Sequence, residues 1–360
     1  MSINLEDLPK TKFRGKNITL AHGAGGKAMR DLIDKIFVAG FDSPELTLLE
    51  DQARFDLSDL NKLGNRLAMT TDCYVVDPLF FPGGDIGKLA VTGTVNDLAV
   101  GGATPLYLTC GMIIEEGFSI DDLQRIVASM KATADSCGVR IVTGDTKVVP
   151  RGAADKLFIN TAGIGIIPET SNILADRAQA GDVVIINGYV GDHGAAIVDA
   201  RGELALEIST VTDCQPLNGL ITEMLKVCPD IHCMRDATRG GLATVLNEFA
   251  SSSEVAIQLD NTKIPVREEV RGVCEILGLD PLYLANEGKL IAIVAKEDSE
   301  VLLKVMQQHP AGEDSCIIGY VEAPSQGVKG FPKGKVILET GFGGNRMIDM
   351  LIGEQLPRIC

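Results

Sequence analysis

The sequence closes on Pro357-Arg358-Ile359-Cys360, which leaves a thiol on its final residue. A sulfur at the end of an arm can carry a covalent cargo, since the thiolate is a good nucleophile. Lys147, in "GDTKVV", is the residue type that neutralises charge on a phosphoryl group in transfer. Glu287, in "LANEGKL", stands at a turn before a strongly apolar stretch. A carboxylate in buried surroundings acquires a raised pKa and can act as a general base. Asp51 in "EDQA", Asp72 in "TTDCYVV", Asp97 in "TVNDLAV" and Asp145 in "GDTKVV" all have apolar neighbours. Carboxylates are costly there unless paired or bound to metal. Brought together, they offer Mg²⁺ hard oxygen ligands against a triphosphate; taken singly, each is equally a cap or a surface acid.

The stretch "LAHGAGGKAMRDLI" (20–33) is not a P-loop, which needs glycine where Ala21 stands and Ser or Thr where Ala28 stands. It does place His22, Gly23, Gly25 and Gly26 in a glycine-rich turn opening a helix, where backbone N–H groups can face an anion. A plain turn before a helix explains it equally well. Asp236 and Arg239, in "RDATRGG", stand at another such helix entrance, for a nucleotide or simply as an ion pair. Cys228, His232 and Cys233 fall within six residues. A structural zinc site needs a second ligand pair at similar spacing, so they read as buried thiols near a strand.

The elements that must position these residues alternate. Residues 66–76, 106–116, 139–149 and 157–167 read as strands, and 86–102 and 119–138 as helices, with Gly101-Gly102 as a stop and Ser119 as an N-cap. A second series has strands near 183–190, 255–260, 290–295 and 315–321. Helices are expected near 192–201, 213–227, 266–277 and 297–309, with a loop entering a helix at 236–252. The fold class is α/β (α+β), as two tandem α/β domains plus a tail. The predicted units are residues 1–170 for nucleotide binding and dimerisation, 171–335 as a second α/β domain, and 336–360 as a mobile tail carrying Cys360.

Composition narrows the function. A chain of 360 residues exceeds one ordinary core. A net charge of −16 with 4% aromatics argues against nucleic acid or an anionic membrane as the main partner. No apolar run is long enough to span a bilayer, and the first residues lack a secretory signal. Nine scattered cysteines suit a reducing compartment, so a cytoplasmic location is expected.

Together "HGAGG", "TTDCYVVDPLFFPGGDIGKLAVTGTVNDLAVGGATPLYL", "GDTKVV", "DATRGGL", "NEGKL" and the final "PRIC" resemble the hydrogenase maturation factor HypE family. These carbamoyl dehydratases belong to the aminoimidazole ribonucleotide synthetase-like superfamily of ATP-using enzymes. The resemblance runs from about Ile18 to Cys360, departing locally at "EDQAR" around Asp51. It implies a homodimer joined through the N-terminal sheets, with ATP and Mg²⁺ in an N-terminal cleft. Asp51, Asp72, Asp97 and Asp145 match the Mg-ATP positions, and Asn96 and the His22–Gly26 turn the nucleotide side. Lys147 and Glu287 match residues proposed to assist dehydration, and Cys360 the carrier thiol. A carbamoyltransferase, HypF, would load a carboxamide onto Cys360. ATP-dependent dehydration would give a thiocyanate, bound for an iron site on a HypC–HypD scaffold in nickel-iron hydrogenase assembly. The alternatives are another superfamily kinase or ligase and a non-enzymatic carrier. Selenophosphate synthetase is disfavoured because the first cysteine is Cys73, far past the glycine turn.

Overall fold

The computed structural model describes residues 15–50, 52–202, 210–326, 330–353 and 356–360. A 3-10 turn (Leu20–Gly23) leads into helix α1 (Lys27–Leu32), which runs on as a π turn to Val38. Then come β1 (Arg66–Tyr74), the hairpin β2 (Phe80–Phe81) and β3 (Gly84–Asp85), α2 (Ile86–Val100), β4 (Thr104–Glu115), α3 (Ile120–Cys137), β5 (Arg140–Val149) and β6 (Leu157–Ile167). The first sheet has the order β1-β6-β4-β5, with only β4 and β5 parallel because α3 crosses between them. The Ser119 hydroxyl accepts from the Asp122 amide and starts α3 where the sequence places it.

Strand alternation gives this sheet two unlike faces. Tyr74, Leu108, Met112 and Val148 turn inward to α2 and α3, while Leu67, Met69 and Ile113 stand 58%, 68% and 44% exposed on the opposite, open face.

The second unit contains β7 (Val183–Ile186), α4 (Asp192–Arg201), α5 (Asn218–Val227), β8 (Cys233–Asp236), α6 (Gly241–Ser252), β9 (Ala256–Asp260), α7 (Glu268–Leu277), β10 (Leu290–Val294), α8 (Lys296–Gln307), β11 (Cys316–Glu322), β12 (Lys335–Glu339) and β13 (Asn345–Ile348). Its sheet order is β13-β12-β9-β11-β7-β10-β8. Strands β7 and β10 are apolar and buried throughout because both faces are covered. Val184, Ile186 and Ile291 pack with Phe249 of α6, whereas Val183, Ile185 and Ala292 pack with Met224 of α5 and Leu302 of α8.

The expected tail boundary at residue 336 is corrected. "KVILE" pairs in parallel with β9, and β13 pairs back onto it. The glycine-rich stretch between them closes a tight turn, with the Gly343 amide donating to the Thr340 carbonyl and the Thr340 amide to Gly344. A β-rich stretch beside an unpaired strand edge gains more by joining the sheet than by standing free. The arm therefore begins after Ile348. Its residues 349–360 extend to about 40 Å at most, rather than the roughly 70 Å available from Glu339.

Helix α2 joins the two units. It is buried at nearly every position and shows no polar face, so both domains pack on it. Gly93 is required where it crosses β1, since a Cβ there would lie 2.4 Å from the Tyr74 hydroxyl. Ala99 and Val100 enter the second domain's core, and Ile197, Cys214 and Ala285 of the second domain enter the first. Asn96, expected on the nucleotide side, is 1% exposed and spent on this junction. Its Nδ2 donates to the Gln215 carbonyl at 3.2 Å, and its Oδ1 accepts from the Leu217 amide at 2.8 Å. Replacing Asn96 with Ala strands a buried amide. The expected outcome is a loss of about 1–3 kcal/mol in urea unfolding, with ATP affinity unchanged.

Candidate active site at the domain junction

Four of the carboxylates sensed in the sequence come together where β1, α2, β8 and the loop before β10 meet. Asp72 lies on the inward face of β1, in register with the buried Thr161. Asp97, in the last turn of α2, accepts from the Thr70 hydroxyl at 2.9 Å. Asp236 ends β8 and is 7% exposed; Glu287 is 3% exposed. Burial raises the pKa of Asp97 against its Thr70 hydrogen bond, and the charge of Asp72 adds to the rise. Asp236 is pushed up by burial and then by Asp97. Glu287 lies well above the usual range, first through burial and then through Asp213, Asp236, Asp72 and Asp97. Tyr74 is 1% exposed, and its phenol is raised by burial and then by the charges of Asp72, Glu287 and Asp97. A cleft of about 750 Å³ opens on this group, lined by Asp97, Arg235, Asp236 and Arg239.

The Glu287 carboxyl accepts no hydrogen bond among the described residues, but its backbone is held tightly. Both oxygens of Asp213 are used, one accepting from the Glu287 amide at 3.0 Å and the other from Gly288 at 3.1 Å. Lys289 balances Asp213 at 3.2 Å, both side chains being under a tenth exposed. Gly288 is forced by this approach, since a Cβ there would lie 2.0 Å from the Asp213 carbonyl.

The end of the chain docks at the same junction. Leu356, Ile359 and Cys360 pack against the core cluster that holds Tyr74, Cys214 and Ala285. The Cys360 carbonyl accepts from the Val75 amide, and the Arg358 carbonyl from Asp77, each at 3.2 Å. Arg358 also pairs with Asp155 at 2.5 Å.

The remaining site residues lie elsewhere. Asp145 and Lys147 are exposed on β5, in register with Gly111 and the exposed Ile113, and so belong to the open face. Asp72 faces the other way on the opposite edge strand, about 14 Å across at three strand spacings. The supposed convergence of Asp72, Asp97 and Asp145 within one chain is thus corrected: alternate residues of a strand point to opposite faces. Asp51 lies outside the described residues. His22 is 7% exposed, and its Nδ1 accepts from the Thr19 amide at 2.9 Å, capping the 3-10 turn. Gly23 packs against Val148 of β5, where a Cβ would approach within 2.9 Å. Gly25 takes a left-handed φ of 78°, and Gly26 caps α1. This turn stands at β5, away from the Asp97–Asp236 cleft, and a separate cavity of about 220 Å³ lined by Asp145, Met29 and Glu45 adjoins it.

Cys228 and Cys233 fall in different cores, while His232 pairs with Asp182 at 2.7 Å. Among the described residues, no group of three or more His, Cys, Asp or Glu side chains is placed to hold a metal. Asp213, Lys289, Arg235 and His193 were not anticipated. "TDCQ" and "NEGKL" give no local sign that they meet, because that contact spans more than seventy residues.

The raised pKa of Glu287 has a measurable sign. The native state keeps a proton that the unfolded chain releases above about pH 4.5, so stability falls as pH rises from there toward the native value. Glu287→Gln keeps the shape and cannot ionise. Between about pH 5.5 and pH 8 in metal-free buffer its Tm should fall less than that of the wild type; parallel slopes would remove the buried proton.

Residues 50–167 match the AIR synthase related protein N-terminal domain and residues 179–329 the corresponding C-terminal domain. The chain is 51% identical over 348 residues to carbamoyl dehydratase HypE of Rhodobacter capsulatus, covering 97% of this chain and 99% of that protein. It superposes with a TM-score of 0.89 on the crystal structure of hydrogenase maturation protein HypE in complex with ATP, at 50% identity over 95% of this chain and 99% of that one. A chain from the HypE–HypF complex superposes with a TM-score of 0.75 at 44% identity, over 89% and 99% of the two chains. Among the described residues, no helix is long and apolar enough to cross a membrane. From its sequence along nearly the whole length and from its fold, the chain belongs to the HypE family of carbamoyl dehydratases.

Proposed function

We propose that this protein dehydrates a carboxamide carried on the Cys360 sulfur to a thiocyanate, at the expense of ATP. The observation that carries this reading is the docked chain end: Cys360 packs against the cluster containing Tyr74 and Ala285, and Ala285 stands two residues from the buried Glu287. The carboxamide oxygen attacks the γ-phosphorus and ADP leaves. Loss of one N–H proton gives an O-phosphorylated imidate on sulfur. Removal of the second N–H proton expels phosphate and forms the C≡N bond. Glu287, in its ionised form, takes that second proton; burial raises its proton affinity toward the working pH, as a base requires.

The Asp97–Asp236 cleft is the place for ATP, with Arg235 and Arg239 on its wall. Mg²⁺ takes one or two carboxylates and completes its shell with phosphate oxygens and water. Crowded, partly buried Asp97 and its neighbour Asp72 fit that need, since their mutual repulsion is what a cation relieves. When bound, Mg²⁺ supplies charge neutralisation on the triphosphate.

Asp145 and Lys147 enter this reading through a second copy. The open face of the first sheet exposes Leu67, Met69 and Ile113, and a homodimer packed face to face covers them and brings Asp145 and Lys147 to its interface. HypF is the carbamoyl donor, as the HypE–HypF complex of a relative supports. A HypC–HypD iron scaffold is the acceptor, in a reducing cytoplasm that keeps the thiols unbridged.

The test is the mass of the Gln355–Cys360 peptide after incubation with the carbamoyltransferase, carbamoyl phosphate and ATP. It should gain a carbamoyl group and then lose one water only with hydrolysable ATP. An unmodified thiol beside a cleft that still binds ATP would return the protein to the kinase or ligase readings. Glu287→Gln should still load and bind ATP, but dehydrate at least about 100-fold more slowly in a single turnover. Ile113→Asp, on the same open face but away from the Asp97–Asp236 cleft, should sediment as a monomer and lose dehydration with its fold intact; an active monomer would exclude the role of the second copy.

A further inference from the structure

Helix α4 presents His193, Ile197 and Arg201 at intervals of four, which aligns them on one face. All three meet the chain end. His193 is 0% exposed, and its Nε2 lies 2.7 Å from the Ile359 carbonyl. Ile197 shares the core cluster with Ile359 and Cys360. Arg201 donates to the carbonyls of Pro357 at 2.5 Å and Arg358 at 2.9 Å, and its Nε donates to the Asp77 carbonyl. The surroundings determine the His193 tautomer. The Thr212 hydroxyl accepts from the Cys214 amide at 3.1 Å, which leaves its proton for His193 Nδ1 at 2.7 Å. The Ile359 carbonyl can only accept, so Nε2 carries the ring proton and donates to it, and Nδ1 of the neutral ring accepts from the Thr212 hydroxyl. Burial keeps the imidazole neutral, and the edge of Phe81 at 5.6 Å fixes its plane.

Thr212 is followed in the chain by Asp213, which grips the backbone of Glu287 and Gly288. One connected set of contacts thus runs from the carbonyl next to Cys360, through His193 and Thr212, to the loop that holds the base. None of these residues lines the Asp97–Asp236 cleft.

We propose that the His193–Ile197–Arg201 face of α4 is the receptor for the chain end, and that His193 is the positioning residue that sets Cys360 beside the Glu287 loop for dehydration. The second half of this rests on the functional reading above; the receptor itself does not.

Three variants test it in the full-length protein. His193→Phe keeps a ring against Phe81 and loses both nitrogens, whereas His193→Gln retains a donor near Nε2. Arg201→Met removes the other clamp from a partly exposed position. Three readouts are taken, beginning with maleimide labelling of Cys360, followed on the Gln355–Cys360 peptide without loading. Carbamoyl loading by the carbamoyltransferase and single-turnover dehydration follow. The loss of one buried hydrogen bond should speed labelling about tenfold in His193→Phe and Arg201→Met, leave loading unchanged or faster, and slow dehydration about tenfold. His193→Gln should recover most of both effects, and ATP affinity should stay at the wild-type value. A generally damaged fold would slow loading and dehydration together, which would overturn the proposal. Unchanged labelling would overturn the receptor, and faster labelling with a wild-type dehydration rate would overturn the positioning role. Faster labelling in a protein whose wild type never dehydrates supports the receptor and removes the dehydratase reading instead.

Discussion

Everything at the junction depends on α2 having no solvent-facing side. A helix packed against both domains cannot present a charged stripe, so its polar residues are confined to its ends or must find partners. Asp85 caps its start, taking the Gly87 and Lys88 amides and the Ser129 hydroxyl. Asn96 spends both ends of its amide on the second domain. Asp97 then falls at the rim, where the cleft opens. The position of the chemistry follows from where a wholly enclosed helix runs out of enclosure.

The site gathers negative charge with little positive charge to balance it. Burial raises the proton affinities of Asp97, Asp236 and Glu287 in low-dielectric surroundings, and the charge of Asp72 adds to the rise at all three. Arg235 is partly engaged with Glu248, and Lys289 with Asp213. Such an arrangement costs folding energy in the empty protein and is relieved by a cation-bound polyphosphate or by protonation. It also separates two roles: carboxylates nearer the cleft can meet a cation, while Glu287, sealed on the other side, is suited to protons.

Local pattern carried much of the fold. The Ser119 cap, the Gly101 stop and the β-rich runs of β4, β5 and β6 are set by neighbours in sequence, and they fold as their residues predict. What failed to show was tertiary. "KVILE" carries the signature of a strand, but nothing local says that β9 has an edge to receive it. Asp72 and Asp145 look alike in sequence, each acidic amid apolar neighbours, yet strand parity sends them to opposite faces. Asp213 falls where the sequence predicts a helix to begin, but the helix starts only at Asn218, and Asp213 matters because the chain returns to it seventy residues later. Asn96, beside Asp97, was assigned by motif to the nucleotide, while its burial assigns it to the domain junction.

The docked arm is held through its main chain. Four consecutive carbonyls, from Pro357 to Cys360, each accept a hydrogen bond from Arg201, His193 or the backbone of Val75 and Asp77. A grip of this kind does not read what the sulfur bears: bare thiol, carboxamide and thiocyanate present the same peptide groups to it. As far as these main-chain bonds go, substrate and product arms meet the berth on equal terms, and the backbone grip alone supplies no direction. Directionality must come from the irreversible cleavage of ATP while the arm is seated, and from partners that capture the arm when it leaves. The fold in this respect behaves as a ratchet whose pawl is nucleotide hydrolysis, with the arm free to exchange at every other stage.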